Sequence, residues 1–437
     1  MDKTPNTKGM SRRDFIKTTS AASMVAMVSG GGALFAGGSD QIKVGLIGSG
    51  GRGRGAARDC VNSSPNVVIT AMGDLFPDRV EGAYTWLSEQ IKPENLAVTP
   101  ETRFSGFDNY KKVLASDIDM VILACPPHFR HLHLKAAIEA GKHVFMEKPV
   151  AVDPPGIRSV IATAQLAKNK GLGIVAGTQR RHQAHYLEIM KRIHKGDIGE
   201  VVSGQCYWNM GALWVDRAKQ NWAGKTEKGW SDMEWHIRNW LFLTWLSGDH
   251  IVEQHVHNLD VINWAIGSHP VSCSGMGGRQ VRTDPMYGNI FDHFAIEYEY
   301  PNGARVMSMC RQTAGCHDNV SERVIGEQGF SYTDGANGYI KGAKAYEYPD
   351  ESPNPYVVEH TDLIASIRNG KPLNEGRQVA ESTMTAIMGR MSAYTGRKMS
   401  WDWAMNSSNL DLSPPGGYTF GDLPVRPVAV PGETELV

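Results

Sequence analysis

Short apolar runs recur through residues 42–150, separated by stretches whose apolar positions fall at helical spacing. Ile42-Lys43-Val44-Gly45-Leu46-Ile47, residues 67–72, residues 120–124 and Val144-Phe145-Met146 predict four strands. Between the last two, Leu132, Ala136 and Ile138 mark a helix over residues 131–140. This alternation predicts a parallel, doubly wound sheet with helices packed on its faces. Beyond residue 150 the rhythm changes. Residues 156–170 and 185–195 read as helices, residues 172–176 as a strand, and the chain then turns β-rich. Residues 294–300 alternate and meet Pro301-Asn302-Gly303, a hairpin turn, before residues 304–309. Residues 361–396 read as closing helices, and the Pro/Gly-rich tail from Ser413 as irregular.

With 437 residues, 41% of them hydrophobic, the chain is long enough for two packed domains. A net charge of -1 gives no global field for nucleic acid, and no basic, aromatic-interleaved stretch appears. The six cysteines are scattered without a C-x-x-C spacing, so buried thiols are expected rather than zinc or a disulfide framework.

Residues 1–40 do not read as fold. Ser11-Arg12-Arg13-Asp14-Phe15-Ile16-Lys17 precedes a mildly apolar Ala/Met/Val/Gly stretch over residues 18–36. That pattern matches a twin-arginine export signal and predicts a periplasmic or otherwise exported protein, with the twin-arginine export machinery as a partner. No clean A-x-A site follows, which leaves N-terminal membrane anchoring open. No later apolar run approaches the roughly 20 residues that span a bilayer.

Gly48-Ser49-Gly50-Gly51-Arg52-Gly53 directly follows the first strand and opens a helical segment. This is G-x-G-x-x-G in the context it requires. Gly48 would make the tight turn, Gly50 would let a pyrophosphate approach the backbone, and Gly53 would allow close helix–strand packing. The helix N-terminus supplies partial positive charge for phosphate. Asp74 ends the second strand, where a carboxylate accepts from the adenosine ribose hydroxyls and repels a 2′-phosphate. NAD is therefore expected over NADP, although Arg79 stands nearby. The predicted fold class is α/β: a Rossmann doubly wound parallel sheet followed by an α+β domain with an open antiparallel sheet. The expected division is a signal segment over 1–40, a nucleotide-binding domain over 41–150, and a substrate and oligomerisation domain over 151–437.

Glu147-Lys148-Pro149 ends the fourth strand. Pro149 biases Lys148 toward an extended backbone and so sets its ammonium at a strand end, where ligands gather in open α/β sheets. Together with the glycine fingerprint, Asp74, Cys125-Pro126-Pro127-His128, His131 and Ala140-Gly141-Lys142-His143, this motif resembles the glucose–fructose oxidoreductase/inositol dehydrogenase/MocA family over residues 42 to about 400. The resemblance implies hydride transfer between a nicotinamide and a sugar or cyclitol carbinol, with the lysine near the reacting oxygen. It also implies that Pro126, His128, His131, Glu147, Lys148 and Gln179 stand along the cofactor and Arg181 near the substrate.

The family's second signature, aspartate–histidine–aspartate on a helix, corresponds to Glu253, His257 and Asp260 at i, i+4 and i+7. Glu253 is one methylene longer than the family's aspartate; it could reach the substrate or only orient His257. Carbinol oxidation needs a base for the hydroxyl proton, which suits His257, while Lys148 polarises the same oxygen. His255 points off this face and is expected to be structural. A metal held by His250, Glu253 and His257 is allowed by spacing but not required by hydride chemistry.

Seven of the eleven tryptophans fall between Trp208 and Trp245, among polar residues. Aromatic faces with polar neighbours suit a carbohydrate; Trp208 and Trp235 are taken as substrate-facing, and the rest as structural or at the interface of a homo-oligomer, dimer or tetramer. Because free NAD is scarce outside the cytoplasm, the dinucleotide is expected to be tightly bound. The expected activity is a sugar, glycoside or cyclitol dehydrogenase. The alternatives are an NAD-dependent glycosidase that oxidises its sugar transiently and eliminates the aglycone, and a non-catalytic NAD-binding sensor or scaffold.

Overall fold

The computed structural model describes residues 41–437; the export-signal reading of the segment before Gln41 lies outside the described residues. Six parallel strands form the first sheet: β1 (Ile42–Ile47), β2 (Val67–Asp74), β3 (Arg103–Ser105), β4 (Met120–Leu123), β5 (His143–Met146) and β6 (Ile174–Ala176). Their order, β3-β2-β1-β4-β5-β6, is that of a doubly wound dinucleotide-binding sheet. The central strands carry near-continuous apolar runs because helices cover both faces: Met120, Val121, Ile122 and Leu123 are all fully buried. The order reverses between β1 and β4, so a crevice opens outside their C-terminal ends.

A domain boundary at residue 150 falls too early. The strand Ile174–Ala176 pairs in parallel with β5 and completes the first sheet. The helix Pro154–Lys170 is the crossover that carries it there.

The second sheet has nine strands: β7 (Val201–Met210), β8 (Ser272–Gly278), β9 (His293–Glu299), β10 (Arg305–Gln312), β11 (Asn319–Gly326), β12 (Gly329–Asp334), β13 (Gly338–Gly342), β14 (Tyr346–Glu347) and β15 (Met399–Ser400). Their order is β14-β13-β12-β11-β7-β10-β9-β8-β15. It is antiparallel except for one parallel pair, β7 with β10. The hairpin expected at Pro301-Asn302-Gly303 joins β9 to β10, with Tyr300 N–H donating to the Ala304 carbonyl. One face is packed by the helices Val256–Ile266 and Gly376–Thr395. On the opposite face Met276, Met307 and Met309 are exposed.

The closing helices run Pro355–Arg368 and Gly376–Thr395. Among the described residues no helix is long and apolar enough to cross a membrane. All six cysteines are unpaired; five are buried as expected, whereas Cys316 is exposed.

Candidate active site

The glycine loop sits where the first strand hands over to the helix Gly51–Ser63. Gly48 has φ +93°, and a Cβ there would stand 2.4 Å from the Cys125 amide nitrogen. A Cβ at Gly53 would stand 1.8 Å from the Gly48 carbonyl oxygen, so this glycine closes the helix onto the strand. Gly50 and Gly51 instead have nothing within 4 Å of an added Cβ. The helix carries no side-chain cap and no acidic residue in its first turn, so its N-terminal amides are free for an anion. This division between closely packed and open glycines is what a pyrophosphate cradle requires.

Gly48, Gly50, Gly51, Arg52, Gly53, Asp74 and Pro126 line one open cleft. Asp74 accepts hydrogen bonds from the amides of Ser49 (2.8 Å) and Phe76 (3.1 Å), tying the loop to the end of β2. Burial raises its carboxyl above the ordinary range, with those two amides and Arg79 opposing. The Ser49 hydroxyl turns inward to the Gly73 carbonyl.

Arg52 reaches across the crevice. Its guanidinium pairs with Glu147, with Glu359 at 3.1 Å and with Asp59 at 3.6 Å. Glu147 is pressed over Gly177, where a Cβ would stand 2.6 Å from its carboxylate oxygen. The residue preceding Lys148 is thereby fixed to the glycine loop. Burial pushes the Glu359 carboxyl well up, and the neighbouring Glu147 adds to the rise.

Lys148, at a cis peptide bond to Pro149, donates its Nζ to both the backbone carbonyl and the carboxylate of Glu253, the latter at 3.0 Å. The carbonyl is available because the helix breaks there. The short helix His250–Glu253 ends, the helix Val256–Ile266 begins, and the His257 amide bonds Gln254 instead of Glu253. Glu253, His257 and Asp260 therefore do not share one uninterrupted helix face. Glu253 serves Lys148, and Asp260 takes the Arg181 guanidinium bidentately at 2.8 and 2.9 Å with Ser382 as a further donor.

His257 is 7% exposed, and its Nδ1 is buried without a hydrogen-bond partner. Trp208 stacks on its ring at 5.7 Å between centroids. Burial, then the Lys148 and Arg180 cations, hold its pKa well below the usual histidine value, so the imidazole is neutral. A neutral, oriented imidazole beside a lysine ammonium is the donor–acceptor pair that carbinol chemistry uses.

His128 is fully buried, its Nε2 within 2.8 Å of the Tyr418 hydroxyl, and it does not line the cleft. His131 does not line it either; its Nδ1 is buried near Gly156. Gln179 has its Oε1 buried and unpartnered. Trp235 is a core residue, fully buried edge-to-face against Trp222, and cannot face a substrate. Arg180 is buried and pairs with buried Glu322, which also accepts from Asn258 and Tyr186. His255 is structural, bonded to the Ser308 hydroxyl at 2.7 Å. His250 turns to Asp249 while Glu253 turns to Lys148, and among the described residues no cluster could hold a metal ion.

Sequence reasoning missed Trp214, Trp240 and Arg217, which line the nucleotide cleft from the far side of the chain. The tryptophan density marked the segment, but only the fold shows which ligand half it faces.

Fold and cleft together define an NAD-binding Rossmann oxidoreductase. Residues 42–175 match the family described as "Oxidoreductase family, NAD-binding Rossmann fold", and residues 186–331 match the GFO/IDH/MocA C-terminal domain. The chain belongs to the Gfo/Idh/MocA family. It is 24% identical over 290 residues to inositol 2-dehydrogenase 3 of Saccharopolyspora erythraea, covering 66% of this chain and 72% of that one. It is 28% identical to 2,7-anhydro-N-acetylneuraminate hydratase of Escherichia coli, over 43% of this chain and 44% of that protein. A glycosyl hydrolase family 109 protein of Streptomyces coelicolor is 27% identical over 37% of this chain and 33% of its own length. The chain thus spans less than half of the last two relatives. The fold is shared with scyllo-inositol dehydrogenase of Lactobacillus casei, solved with NAD(H) and scyllo-inositol, at TM-score 0.62 and 18% identity, over 82% of this chain and 99% of that one.

Proposed function

We propose that this protein is an exported NAD-dependent oxidoreductase that moves a hydride between a tightly bound nicotinamide and a carbinol of a sugar, glycoside or cyclitol. The observation that carries the reading is the Lys148–Glu253 contact beside His257, whose Nδ1 is buried and unpartnered. Bound NAD would supply the hydride acceptor. Gly48 to Gly53 and the helix N-terminus would hold its pyrophosphate, and Asp74 its adenosine ribose.

The chain's own part is proton handling and orientation. Lys148, held by two oxygens of Glu253, has a further N–H that would donate to the substrate oxygen and stabilise negative charge there. His257 takes the hydroxyl proton; its neutral state keeps it ready, and negative charge growing on the oxygen offsets the lysine cation that otherwise opposes protonation. Trp208 fixes the imidazole plane by stacking on it.

A second reading is the NAD-dependent glycosidase, supported by the resemblance to the hydratase and the family 109 hydrolase. Incubation with a glycoside panel separates the two. A stable ketone with the NADH band near 340 nm supports the dehydrogenase, whereas aglycone release without net NADH supports the glycosidase. Neither response from any glycoside or cyclitol would defeat both and favour a non-catalytic sensor.

The exported location rests on the Arg12-Arg13 motif and the apolar stretch after it. Homo-oligomerisation is supported by one row on the outer sheet face, Met276 beside Ala295 beside Met309, with Met276 74% exposed.

A further inference from the structure

The adenosine half of the cleft is walled by residues from outside the six-stranded sheet. Two short helices, Val215–Glu227 and Asp232–Arg238, make an arm that lies over it, and Trp214, Arg217, Ile237, Arg238 and Trp240 line the same cleft as Asp74. Arg238 pins the arm to the nucleotide side: it grips both carboxylate oxygens of Asp78 at 3.0 and 3.2 Å and lies 3.7 Å over the Phe76 ring, while Ala218, Met233 and Ile237 share an apolar cluster with Phe76.

The C-terminal tail closes over the arm from behind. Asp232 accepts from Lys225 at 2.6 Å and from the Leu423 amide at 3.0 Å, and the Met233 amide donates to the Gly421 carbonyl at 3.1 Å. Between these bonds Phe420 lays its ring against Phe107 at 5.2 Å and Phe76 at 6.2 Å, two residues that line the cleft. Tyr418 bonds His128 on the flank of the same site. An irregular Pro/Gly-rich segment is thus held by aromatic contacts and backbone hydrogen bonds at the cleft rim.

The charges on this wall are uneven. Arg238 is compensated by Asp78 and Glu234, but among the described residues neither Arg79 nor Arg217 has a carboxylate within salt-bridge distance. Arg217 stands 4.6 Å from the Trp214 ring; burial, then Arg79, pushes its pKa down to about 10. Arg79 at least has Asp74 and Asp78 acting on it electrostatically, so Arg217 is the cation on this wall left to the dinucleotide.

We propose that the arm around Trp214 and Arg217, together with the tail around Phe420, is a latch that closes on the adenosine half of the bound dinucleotide, with Arg217 as its charged contact. Release of the dinucleotide then requires the Phe420 contacts to part and Arg217 to give up its contact with the dinucleotide. This rests on the dinucleotide reading of the cleft and adds what governs exchange.

The test is isotope exchange without sugar. Full-length protein is loaded with adenosine-labelled NAD, chased with excess unlabelled NAD, and its bound dinucleotide is followed by mass spectrometry. Wild type should keep its label over hours, and Phe420→Ala or Arg217→Ala should release it at least tenfold faster. Arg217 is partly exposed, so that variant tests the latch without disturbing a core; melting temperature confirms that each variant is folded. Complete exchange by wild type within the mixing time, or wild-type rates in both variants, overturns the latch. Failure to bind NAD at all overturns the latch and the cofactor reading together, whereas slow exchange with no reduction by any sugar leaves the latch standing and removes the hydride reading.

Discussion

The Lys148 ammonium takes the backbone carbonyl of Glu253, an oxygen that an unbroken helix would have given to the His257 amide. The break costs a helical hydrogen bond and returns a charge-assisted one, and it sets the lysine by main chain as well as by side chain. Glu253→Gln should therefore leave Lys148 partly held. We expect a loss of about tenfold in kcat for Glu253→Gln and about 10²–10³ for Lys148→Ala, the scale seen when one oxyanion donor is removed. Steady-state kinetics on the best glycoside would check the ranking; equal losses would mean that the carboxylate alone positions the lysine.

His257→Ala should abolish reduction of the cofactor while NAD remains bound, because the imidazole lies outside the glycine loop's cleft. Single-turnover absorbance near 340 nm reads the first part, and the dinucleotide released on denaturation reads the second. Reduction at the normal rate would transfer the base role to another group.

Trp208 and Trp235 should part company. Trp208→Ala removes the ring stacked on His257 and is expected to lower kcat with a small change in stability. Trp235→Ala opens a cavity in a fully buried site and should cost about 3–5 kcal/mol. Parallel denaturation and kinetics distinguish them; a catalytic loss confined to Trp235→Ala would reverse the assignment.

Gly48→Ala should weaken NAD binding and stability together, since φ is +93° and the new methyl would meet the Cys125 backbone at 2.4 Å. Gly51→Ala, where nothing lies within 4 Å, should keep the fold and lose affinity only through contact with the ligand. Melting with and without NAD separates the two; equal destabilisation of the apo protein would refute the distinction.

Stability should peak near neutral pH. Burial depresses the pKa of His128, His133 and His255 to about 3 and of His236 to about 4, so below the ordinary 6.5 the unfolded chain binds protons that the folded one refuses. Each such group should cost about 2 kcal/mol between pH 7 and pH 5. His182 has the opposite sign: burial opposes its charge, but Glu375 and Asp362 outweigh it and raise the pKa to about 10, so its contribution is full below 6.5 and fades toward pH 10. A pH series of melting curves should show both limbs, and His182→Gln should flatten the alkaline one. An unchanged alkaline limb in that variant would remove the ion pair as its cause.

Local patterning carried the first sheet well. The strands β1, β2, β4 and β5, the glycine turn and Asp74 are each written in contiguous residues, because a buried parallel strand needs an apolar run and a phosphate turn needs glycine. β3, only Arg103–Ser105 and partly exposed, has no such run and was not foreseen. The strand Ile174–Ala176 was foreseen as a strand but not as part of this sheet, since pairing depends on where a seventeen-residue helix delivers it.

The site divides in the same way. The sequence alone determined which groups exist to do chemistry: Lys148 beside a proline at a strand end, His257 four residues after Glu253, and the glycine loop about 100 residues upstream of the lysine. Only the tertiary structure decided their partners. Arg52 meets Glu359 across 307 residues, Arg181 is spent on Asp260, Trp235 goes to the core while Trp208 meets His257, and Phe420 closes beside Phe107. Propensity and periodicity act over a turn or a strand; a charge or a ring far along the chain finds its partner through burial, and burial is settled only when the whole chain has packed.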